Sequence, residues 1–209
     1  MTDRSEINLR SRRPAARPAE ILAAALDLFA EKGYAATRME DVASRAGLSK
    51  AAIYLYFKDK MSLLTALVQD MAGGNLAVAA GMAQQFEGPM SPLLRQVLMF
   101  MAGQLRTTRF PELLKVIISE SRAHPDIGKL YLENVIGRGL PIFEDILRRG
   151  IKAGEFRDVD PALAAKAMVA PMLLAAFWKT AFEPLGAEPL DIEAYAAQHV
   201  DIFLKGVAA

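Results

Sequence analysis

The spacing of the apolar residues constrains this fold most, because it follows a helical period along the whole chain. The first apolar stripe belongs to a helix that begins after Pro18 and ends at Gly33, and it consists of Ile21, Leu22, Ala25, Leu28 and Phe29. No segment alternates apolar and polar residues between turn signals as a half-buried strand does. Apolar residues make up 53% of the 209, which is enough for a substantial core. The sequence therefore predicts an all-α fold.

The residue inventory excludes several kinds of site. There is no cysteine, so disulfides, thiolate nucleophiles and cysteine-based metal sites are excluded, and only two histidines, His124 and His199, are present. We expect no bound metal and no other cofactor. The longest uncharged apolar run, residues 167–178, has twelve residues, whereas a membrane-spanning helix needs about 20. The sequence predicts a cytoplasmic protein with no membrane partner.

Basic residues are concentrated near the N-terminus. Residues 1–60 hold 11 basic and 8 acidic side chains, whereas residues 61–209 hold 14 and 16. Five arginines lie within the first 17 residues without the apolar stretch of a secretory signal, which indicates a basic tail rather than an export sequence. Any phosphate-binding surface is therefore expected in the first third of the chain.

Two short helices are predicted after Gly33. The run Thr37-Arg38-Met39-Glu40 is typical of a capping box, with the threonine as N-cap of the first helix, and Gly47 is placed to end that helix. Ser49 is predicted to cap a second helix that continues to about Phe57. Two helices of about nine residues joined by such a tight turn form a helix-turn-helix, whose second helix enters the major groove of DNA.

The second helix of this motif has one face suited to a core and one suited to DNA. A helical wheel places Ile53 and Phe57 toward the core, and the opposite arc consists of Lys50, Ala51, Tyr54 and Leu55. Lysine can reach a guanine edge or a phosphate, and alanine at positions 51 and 52 can contact a thymine methyl group. The hydroxyls of Tyr54 and Tyr56 can donate to phosphate oxygens. We therefore expect this arc to lie against a duplex.

The stretch from Ile21 to Leu67, and above all Gly47–Lys60, resembles the signature of the TetR/AcrR family of bacterial one-component repressors. The resemblance implies an all-helical homodimer with a three-helix DNA-binding domain, a fourth connecting helix and a C-terminal effector domain. Phe110–Tyr131 and Gly154-Glu155-Phe156 are similar to one AcrR-like C-terminal subgroup. The chain departs from the family at position 51, where glycine or proline is common and this sequence has alanine.

The motif and the resemblance together give a candidate DNA-contacting set and a domain division. The candidate residues are Thr37, Ser49, Lys50, Ala51, Ala52, Tyr54, Leu55, Tyr56 and Lys60. We divide the chain into a basic tail (1–17), a helix-turn-helix DNA-binding domain (18–58) and a domain for ligand binding and dimerisation (59–209). The helix that follows Asp59 is predicted to have a weak point at Gly73-Gly74.

Beyond Gly88-Pro89 the pattern is that of a helical bundle. Predicted helices begin at Ser91-Pro92, Phe110-Pro111, Asp126, Asp160-Pro161 and Leu190. The helix over residues 160–182 is apolar nearly all round, so a monomer would expose much of its apolar surface. Self-association with the last helix, residues 190–206, would bury that surface in a four-helix interface. The sequence therefore predicts a homodimer.

Methionine and aromatic side chains between residues 98 and 182 allow two interpretations. Core or dimer contacts are the more common role of such residues. Methionine also adapts its shape, however, and an apolar pocket with a few polar groups is the usual small-molecule site. The candidate ligand-binding residues are Phe100, Arg106, Glu120, Phe143, Met172 and Trp178.

These features predict a ligand-responsive transcriptional repressor. We expect it to bind a palindromic double-stranded DNA operator as a dimer and to be released by a small hydrophobic or amphipathic effector. Two alternatives remain open at this point: an enzyme using Ser119, Glu120 and His124, and an adaptor that dimerises through its C-terminal helices. Proximity in sequence is poor evidence for a catalytic triad, so we predict no catalytic residue.

Overall fold

A computed structural model of the chain describes residues 17–209. The arginines of the predicted basic tail at positions 4, 10, 12 and 13 lie outside the described residues. Within residues 17–209 the extended pairing is confined to an isolated antiparallel bridge between Phe156 and Ala208, and helices account for the rest of the regular structure. The all-α prediction is confirmed. The chain forms two compact units that divide between Leu67 and Val68.

The first unit contains the N-terminal helices α1 (Arg17–Lys32), α2 (Met39–Arg45) and α3 (Lys50–Ile53), followed by the start of α4 (Lys60–Val68). Their apolar faces meet because each helix carries its apolar residues at helical spacing. The buried side chains of this core include Ile21, Ala25, Phe29, Val42, Ala43, Ile53, Leu63 and Leu64. The predicted first stripe is thus a core face.

The turn between α2 and α3 is built as the sequence predicts. Gly47 adopts a left-handed conformation with φ +68°, which favours glycine, and the amide of Leu48 donates to the carbonyl of Ala43 at 2.8 Å. The hydroxyl of Ser49 accepts from the amide of Ala52 at 3.2 Å, so its predicted role as N-cap of α3 is confirmed. Ala43 is buried at the helix contact.

The two helices are shorter than the predicted nine residues. α2 has seven residues and α3 has four. After α3 the amides of Tyr56 and Phe57 both donate to the carbonyl of Ile53, so the chain continues to Phe57 as hydrogen-bonded turns rather than as regular α-helix. Asp59 then accepts from the amide of Ser62 at 2.7 Å and starts α4 as predicted.

The second unit is a bundle of longer helices. They are α5 (Gly74–Gln85), α6 (Met90–Thr107), α7 (Phe110–Glu120), α8 (Pro125–Tyr131), α9 (Gly137–Lys152), α10 (Pro161–Phe177) and α11 (Ile192–Val207). Helices α6, α9, α10 and α11 supply most of its core. The predicted cap at Asp160 is present, because its carboxylate accepts from the amides of Ala162 and Leu163 at 2.8 and 3.1 Å.

Three π-helical turns interrupt the regular helices. They are Gln69–Gly73 between α4 and α5, Leu132–Ile136 between α8 and α9, and Trp178–Phe182 after α10, which leads into a 3₁₀ turn at Glu183–Leu185. The predicted weak point at Gly73-Gly74 coincides with the end of the first of these turns. The π-turn allows the helix to continue with a locally wider backbone.

Two continuous helical stretches are long and apolar enough to cross a bilayer when length and composition alone are considered. They are Lys60–Gln85 and Pro161–Leu185. Only 33% of the most apolar window of each is buried within this chain. Core helices of proteins that do not enter membranes also meet this criterion, so the finding identifies apolar surface that remains uncovered in a single chain.

Candidate nucleic-acid interface and internal cavity

The outward arc of the helix-turn-helix faces solvent as the wheel predicts. Lys50, Ala51 and Tyr54 are exposed, and Leu55 is 84% exposed, whereas Ile53 on the opposite side is fully buried. Because exposed leucine and tyrosine side chains are costly to leave in water without a partner, this arc has the character of a binding surface. Tyr56 is also exposed, and Ala52 is half-buried beside it.

An acidic residue also lies on this surface. The carboxylate of Glu40, on α2, accepts from the ammonium of Lys50, on α3, across a distance of 2.7 Å. This hydrogen bond and the attraction between the charges hold the pKa of Glu40 below its usual value and raise the pKa of Lys50. The sequence analysis did not predict Glu40 as part of the site, although its position in the first turn of α2, beside the buried Met39, is one where an exposed acidic residue is common.

Thr37 does not have its predicted capping role. It is 2% exposed, and its hydroxyl donates inward to the carbonyls of Gly33 at 2.8 Å and Leu28 at 3.2 Å. The N-cap of α2 is Arg38, whose amide donates to the carboxylate of Asp41 at 3.1 Å. The prediction was wrong because the chain after Gly33 approaches α1 closely enough for the threonine to bind its last carbonyls.

The ammonium of Lys60 is also hydrogen-bonded within the protein. Its ammonium donates to the carbonyls of Tyr34, Ala35 and Thr37 at 2.5, 3.1 and 2.9 Å, and it lies 4.3 Å from the centre of the Tyr34 ring. These contacts fix the loop between α1 and α2. In this conformation the Lys60 ammonium is bonded to backbone carbonyls, and its predicted contact with DNA stays a prediction.

Two cations that the sequence analysis did not select flank the motif. Arg38 precedes α2 and Lys58 follows the α3 turn, and both side chains are exposed. Neither makes an ion pair with another residue of the described part of the chain. Their exposure and their position beside the arc could have been inferred from the helix boundaries.

The second unit encloses a cavity of about 450 Å³ between its helices. Three of the six candidate ligand-binding residues line this cavity, namely Phe100, Phe143 and Met172. A volume of this size is typical of a small-molecule site. The walls are otherwise mostly aliphatic and aromatic, and the polar side chains that reach the cavity are Asn75, Gln104, Tyr131 and Lys166.

The other three candidate ligand residues lie away from the cavity. Arg106 is exposed and faces Glu193 at 3.8 Å, and Glu120 lies 3.9 Å from His124. The indole N–H of Trp178 donates to the carbonyl of Glu188 at 2.8 Å, and its ring packs edge-on against Phe182. These residues do not line the cavity because the helices turn them toward the bundle surface, which their sequence positions do not reveal.

Tyr131 is the most strongly perturbed titratable group of the cavity wall. Burial raises the pKa of its phenol to about 12. Within residues 17–209 no side chain or carbonyl accepts a hydrogen bond from its hydroxyl. The phenol is therefore protonated at neutral pH, on a residue that lines the apolar cavity.

The alternative of a metal or hydrolytic centre gains no support from the described residues. Across residues 17–209 no group of three or more histidine, aspartate or glutamate side chains is arranged to hold a metal ion. The 3.9 Å separation between His124 and Glu120 is that of a loose ion pair one helical turn apart, and Ser119 is exposed.

Comparison with known proteins gives matches over most of the chain. Residues 21–67 match the model of bacterial regulatory proteins of the tetR family, and residues 92–206 match the C-terminal domain of AefR-like transcriptional repressors. The HTH-type transcriptional repressor KstR2 of Mycolicibacterium smegmatis is 27% identical over 197 residues, which cover 93% of this chain and 92% of that relative.

Solved structures agree in fold. The transcriptional regulator FadR of Bacillus subtilis, solved in complex with stearoyl-CoA, superposes with a TM-score of 0.75 at 21% identity and covers 90% of this chain and 98% of its own. SmeT, the repressor of the multidrug efflux pump SmeDEF of Stenotrophomonas maltophilia, superposes with a TM-score of 0.72 at 23% identity. The match covers 93% of this chain and 92% of SmeT. At these identities the likeness concerns the fold.

Proposed function

The chain belongs to the tetR family of bacterial regulatory proteins, and from that membership we propose that it is a ligand-responsive transcriptional repressor that binds a palindromic operator as a homodimer. Members of the family are DNA-binding regulators and not enzymes, so the prediction that this chain is not an enzyme is confirmed. The single observation that carries the finer proposal is the solvent-facing arc of Lys50, Ala51, Tyr54 and Leu55.

In this proposal some side chains of the arc contact bases and others contact phosphates. Lys50 donates to a guanine edge, and Ala51 and Ala52 contact thymine methyl groups. The hydroxyls of Tyr54 and Tyr56 donate to phosphate oxygens and fix the register. Ser49 caps the recognition helix. The first backbone amides of that helix face the phosphate backbone of the DNA. Leu55 packs against the sugar edge of the groove.

Arg38 and Lys58 take the phosphate-binding roles that the sequence analysis gave to Thr37 and Lys60. Both are exposed cations beside the arc, whereas the hydroxyl of Thr37 and the ammonium of Lys60 are bound to backbone carbonyls. Phosphate contacts of this kind supply affinity that depends on salt and not on sequence.

The uncovered apolar surface of α10 supports a dimer. Leu163 is 64% exposed and Leu174 is 49% exposed, and Ala167 lies between them on the same side of the helix. On α11, Ile202 is exposed as well. A second copy of the chain would cover both helices in a four-helix interface. Its two-fold symmetry would appear in the operator, since two recognition helices read successive major grooves.

The cavity of the second unit is the proposed effector site. Among the structures of the same fold, FadR of Bacillus subtilis was solved in complex with stearoyl-CoA, a ligand with a long apolar chain. Here Met71 and Ala72 of the first π-turn form part of the cavity wall. An effector would press on this turn and shift the helix over residues 60–85, to which the recognition motif is directly joined. Coupling is reciprocal, so operator DNA must weaken effector binding by the same factor.

Fluorescence anisotropy with DNA flanking the protein's own gene tests the proposal. We expect Lys50→Ala to alter sequence preference, and Tyr54→Phe combined with Lys58→Ala to weaken binding to every sequence with a salt slope lowered by about 1. Lys152→Ala, which removes an exposed cation of the second unit, is the matched control. If both variants bind as the parent protein does, the proposed DNA-binding surface is wrong.

A further inference from the structure

The charge of the cavity wall is one-sided. Among the residues that line it, Lys166 is a cation and none is an aspartate or glutamate. From this asymmetry we infer that the effector is an anionic amphiphile: a carboxylate joined to a single apolar chain. The inference rests on the proposed role of the cavity as the effector site.

Lys166 is suited to receive the anionic head group. Its ammonium makes one long hydrogen bond, 3.4 Å, to the carbonyl of Ala162 within the same helix. It makes no ion pair with another residue of the described chain. The residue is exposed and also lines the cavity. A carboxylate bound there would be paired with the ammonium, whereas a cationic head group would meet an uncompensated like charge.

Tyr131 supplies a second, neutral donor to the oxygen atoms of the head group. Its hydroxyl can donate to an oxygen atom of a ligand in the cavity. Asn75 uses one N–H of its side-chain amide on the carbonyl of Met71 at 2.9 Å and keeps a second. The side chains of the cavity lining that can donate to an anion are thus those of Lys166, Tyr131, Gln104 and Asn75.

The cavity volume sets the size of the apolar chain. A cavity of about 450 Å³ lies within the size range of small-molecule sites. Probes with a medium-length apolar chain are therefore appropriate to it. Aromatic and aliphatic side chains such as Phe100, Phe143 and Leu140 enclose such a chain without offering it a hydrogen bond.

Isothermal titration calorimetry with three probes of equal chain length tests the inference. Dodecanoate carries an anionic head, dodecanol a neutral one and dodecylammonium a cationic one. We expect the purified protein to bind dodecanoate at least tenfold more tightly than either of the others. Equal or tighter binding of dodecylammonium, or no binding of dodecanoate, would overturn the inference.

Single-residue variants test whether Lys166 and Tyr131 cause the preference for dodecanoate. Lys166→Met keeps the aliphatic stem and should abolish the preference for dodecanoate over dodecanol without changing the affinity for dodecanol. Tyr131→Phe should weaken the binding of dodecanoate, because a neutral donor to its carboxylate is lost. Lys152→Met, on the bundle surface, is the control for loss of a lysine. Unchanged binding of dodecanoate by the Lys166 variant would overturn the inference.

DNA binding without ligand is measured separately by anisotropy, so the two proposals can fail independently. If the protein binds its operator and is released by dodecylammonium or dodecanol but not by dodecanoate, the head-group assignment is wrong and the regulatory function stands. If no operator is bound in the absence of ligand, the proposed function fails, whatever the calorimetry gives.

Discussion

At the scale of single residues, the pairing of Lys50 with Glu40 limits how the recognition surface meets DNA. The carboxylate of Glu40 holds the lysine across 2.7 Å, and it adds a negative charge to a surface that faces phosphates. Nonspecific DNA offers only phosphates in exchange for this partner, whereas a cognate site also offers base edges. In the proposed function Glu40 would therefore favour discrimination between sequences at the expense of affinity for DNA.

We predict that Glu40→Gln binds every DNA sequence several-fold more tightly and narrows the affinity ratio between operator and random DNA. Removing the carboxylate frees Lys50 and removes a repulsion toward phosphates. Anisotropy titrations with operator and scrambled duplexes over a range of salt concentrations measure both effects. Glu31→Gln is the comparison, because Glu31 also pairs with a neighbouring cation, Arg45, outside the arc. An unchanged affinity ratio in Glu40→Gln would contradict the prediction.

Lys60 and Lys58 provide a second test, because they lie two residues apart and have different expected roles. Lys60 holds a loop of the protein, and Lys58 is proposed to contact phosphate. Lys60→Met loses three hydrogen bonds to backbone carbonyls and should lower the free energy of unfolding by about 2 kcal/mol. Lys58→Met should leave stability unchanged and reduce DNA affinity and its salt dependence. Thermal unfolding followed by circular dichroism, together with anisotropy, separates the two. Equal stability of the two variants would show that Lys60 does not hold the loop between α1 and α2.

The comparison of residues explains what sequence reasoning can and cannot assign. The inward side of Ile53 and the outward side of Lys50 follow from helical periodicity, which the sequence displays directly. The roles of Thr37 and Lys60 depend on carbonyls of residues 28–37, and a local pattern does not show that these come within reach. The same holds for Arg106 and Trp178, which have plausible chemistry for a ligand site but lie on the wrong side of their helices.

At the scale of elements, several helix ends are closed by side chains from distant parts of the chain. The guanidinium of Arg149 donates to the carbonyls of Ala83 and Phe86 at the end of α5, and the ammonium of Lys179 donates to those of Leu105 and Arg106 at the end of α6. Helix C-termini leave carbonyls without intrahelical partners, and cations satisfy them.

Glu155 is the anionic counterpart, at the start of α6. Its carboxylate accepts from the amides of Met90 at 2.5 Å and Ser91 at 2.7 Å and also from the Ser91 hydroxyl. Partial burial opposes ionisation, but the hydrogen bonds outweigh it and hold the pKa of Glu155 below its ordinary value of 4.5. The ionised form is therefore the one that the fold stabilises.

We predict that Glu155→Gln lowers the stability of the protein by about 1–2 kcal/mol at pH 7. Because the folded pKa lies below 4.5, the contribution of Glu155 is fully present above that pH and disappears as the pH falls through the lower folded value. The difference between parent and variant should shrink accordingly on acidification, as measured by thermal unfolding at a series of pH values. Glu87→Gln, in the exposed loop before α6, is the matched control. A difference that grows below pH 4.5 would contradict this assignment.

The element boundaries were predictable to the extent that caps and prolines mark them. Asp160, Ser49 and Asp59 each start a helix where the sequence places one, because a short polar side chain before an apolar run has a local cause. The π-turns are not marked by a cap or a proline at their first residue. Only the glycine pair at positions 73 and 74 indicated one of them.

At the scale of the whole molecule, the uncovered apolar surface of α10 requires a partner if the protein is to stay in water. The stretch Pro161–Leu185 is apolar enough to resemble a membrane span, and most of that window is not buried by the rest of the chain. A symmetric partner removes this surface from water and at the same time pairs two recognition motifs. Dimerisation and DNA binding are then a single requirement.

We predict that Leu174→Asp converts the proposed dimer to a monomer and lowers its affinity for the operator, while the free energy of unfolding of the single chain changes little. The aspartate would be buried without a partner in the dimer but solvated in the monomer, so association carries the whole penalty. Sedimentation velocity measures the oligomeric state, and anisotropy with a full operator and with a half-site measures the consequence for DNA. The half-site affinity should be nearly unchanged, because each recognition helix remains intact. Val78→Asp, at an apolar side chain of α5 with similar exposure, should remain dimeric. A dimeric Leu174→Asp would place the interface elsewhere, and a monomer that binds the full operator as tightly as the parent would separate DNA recognition from dimerisation.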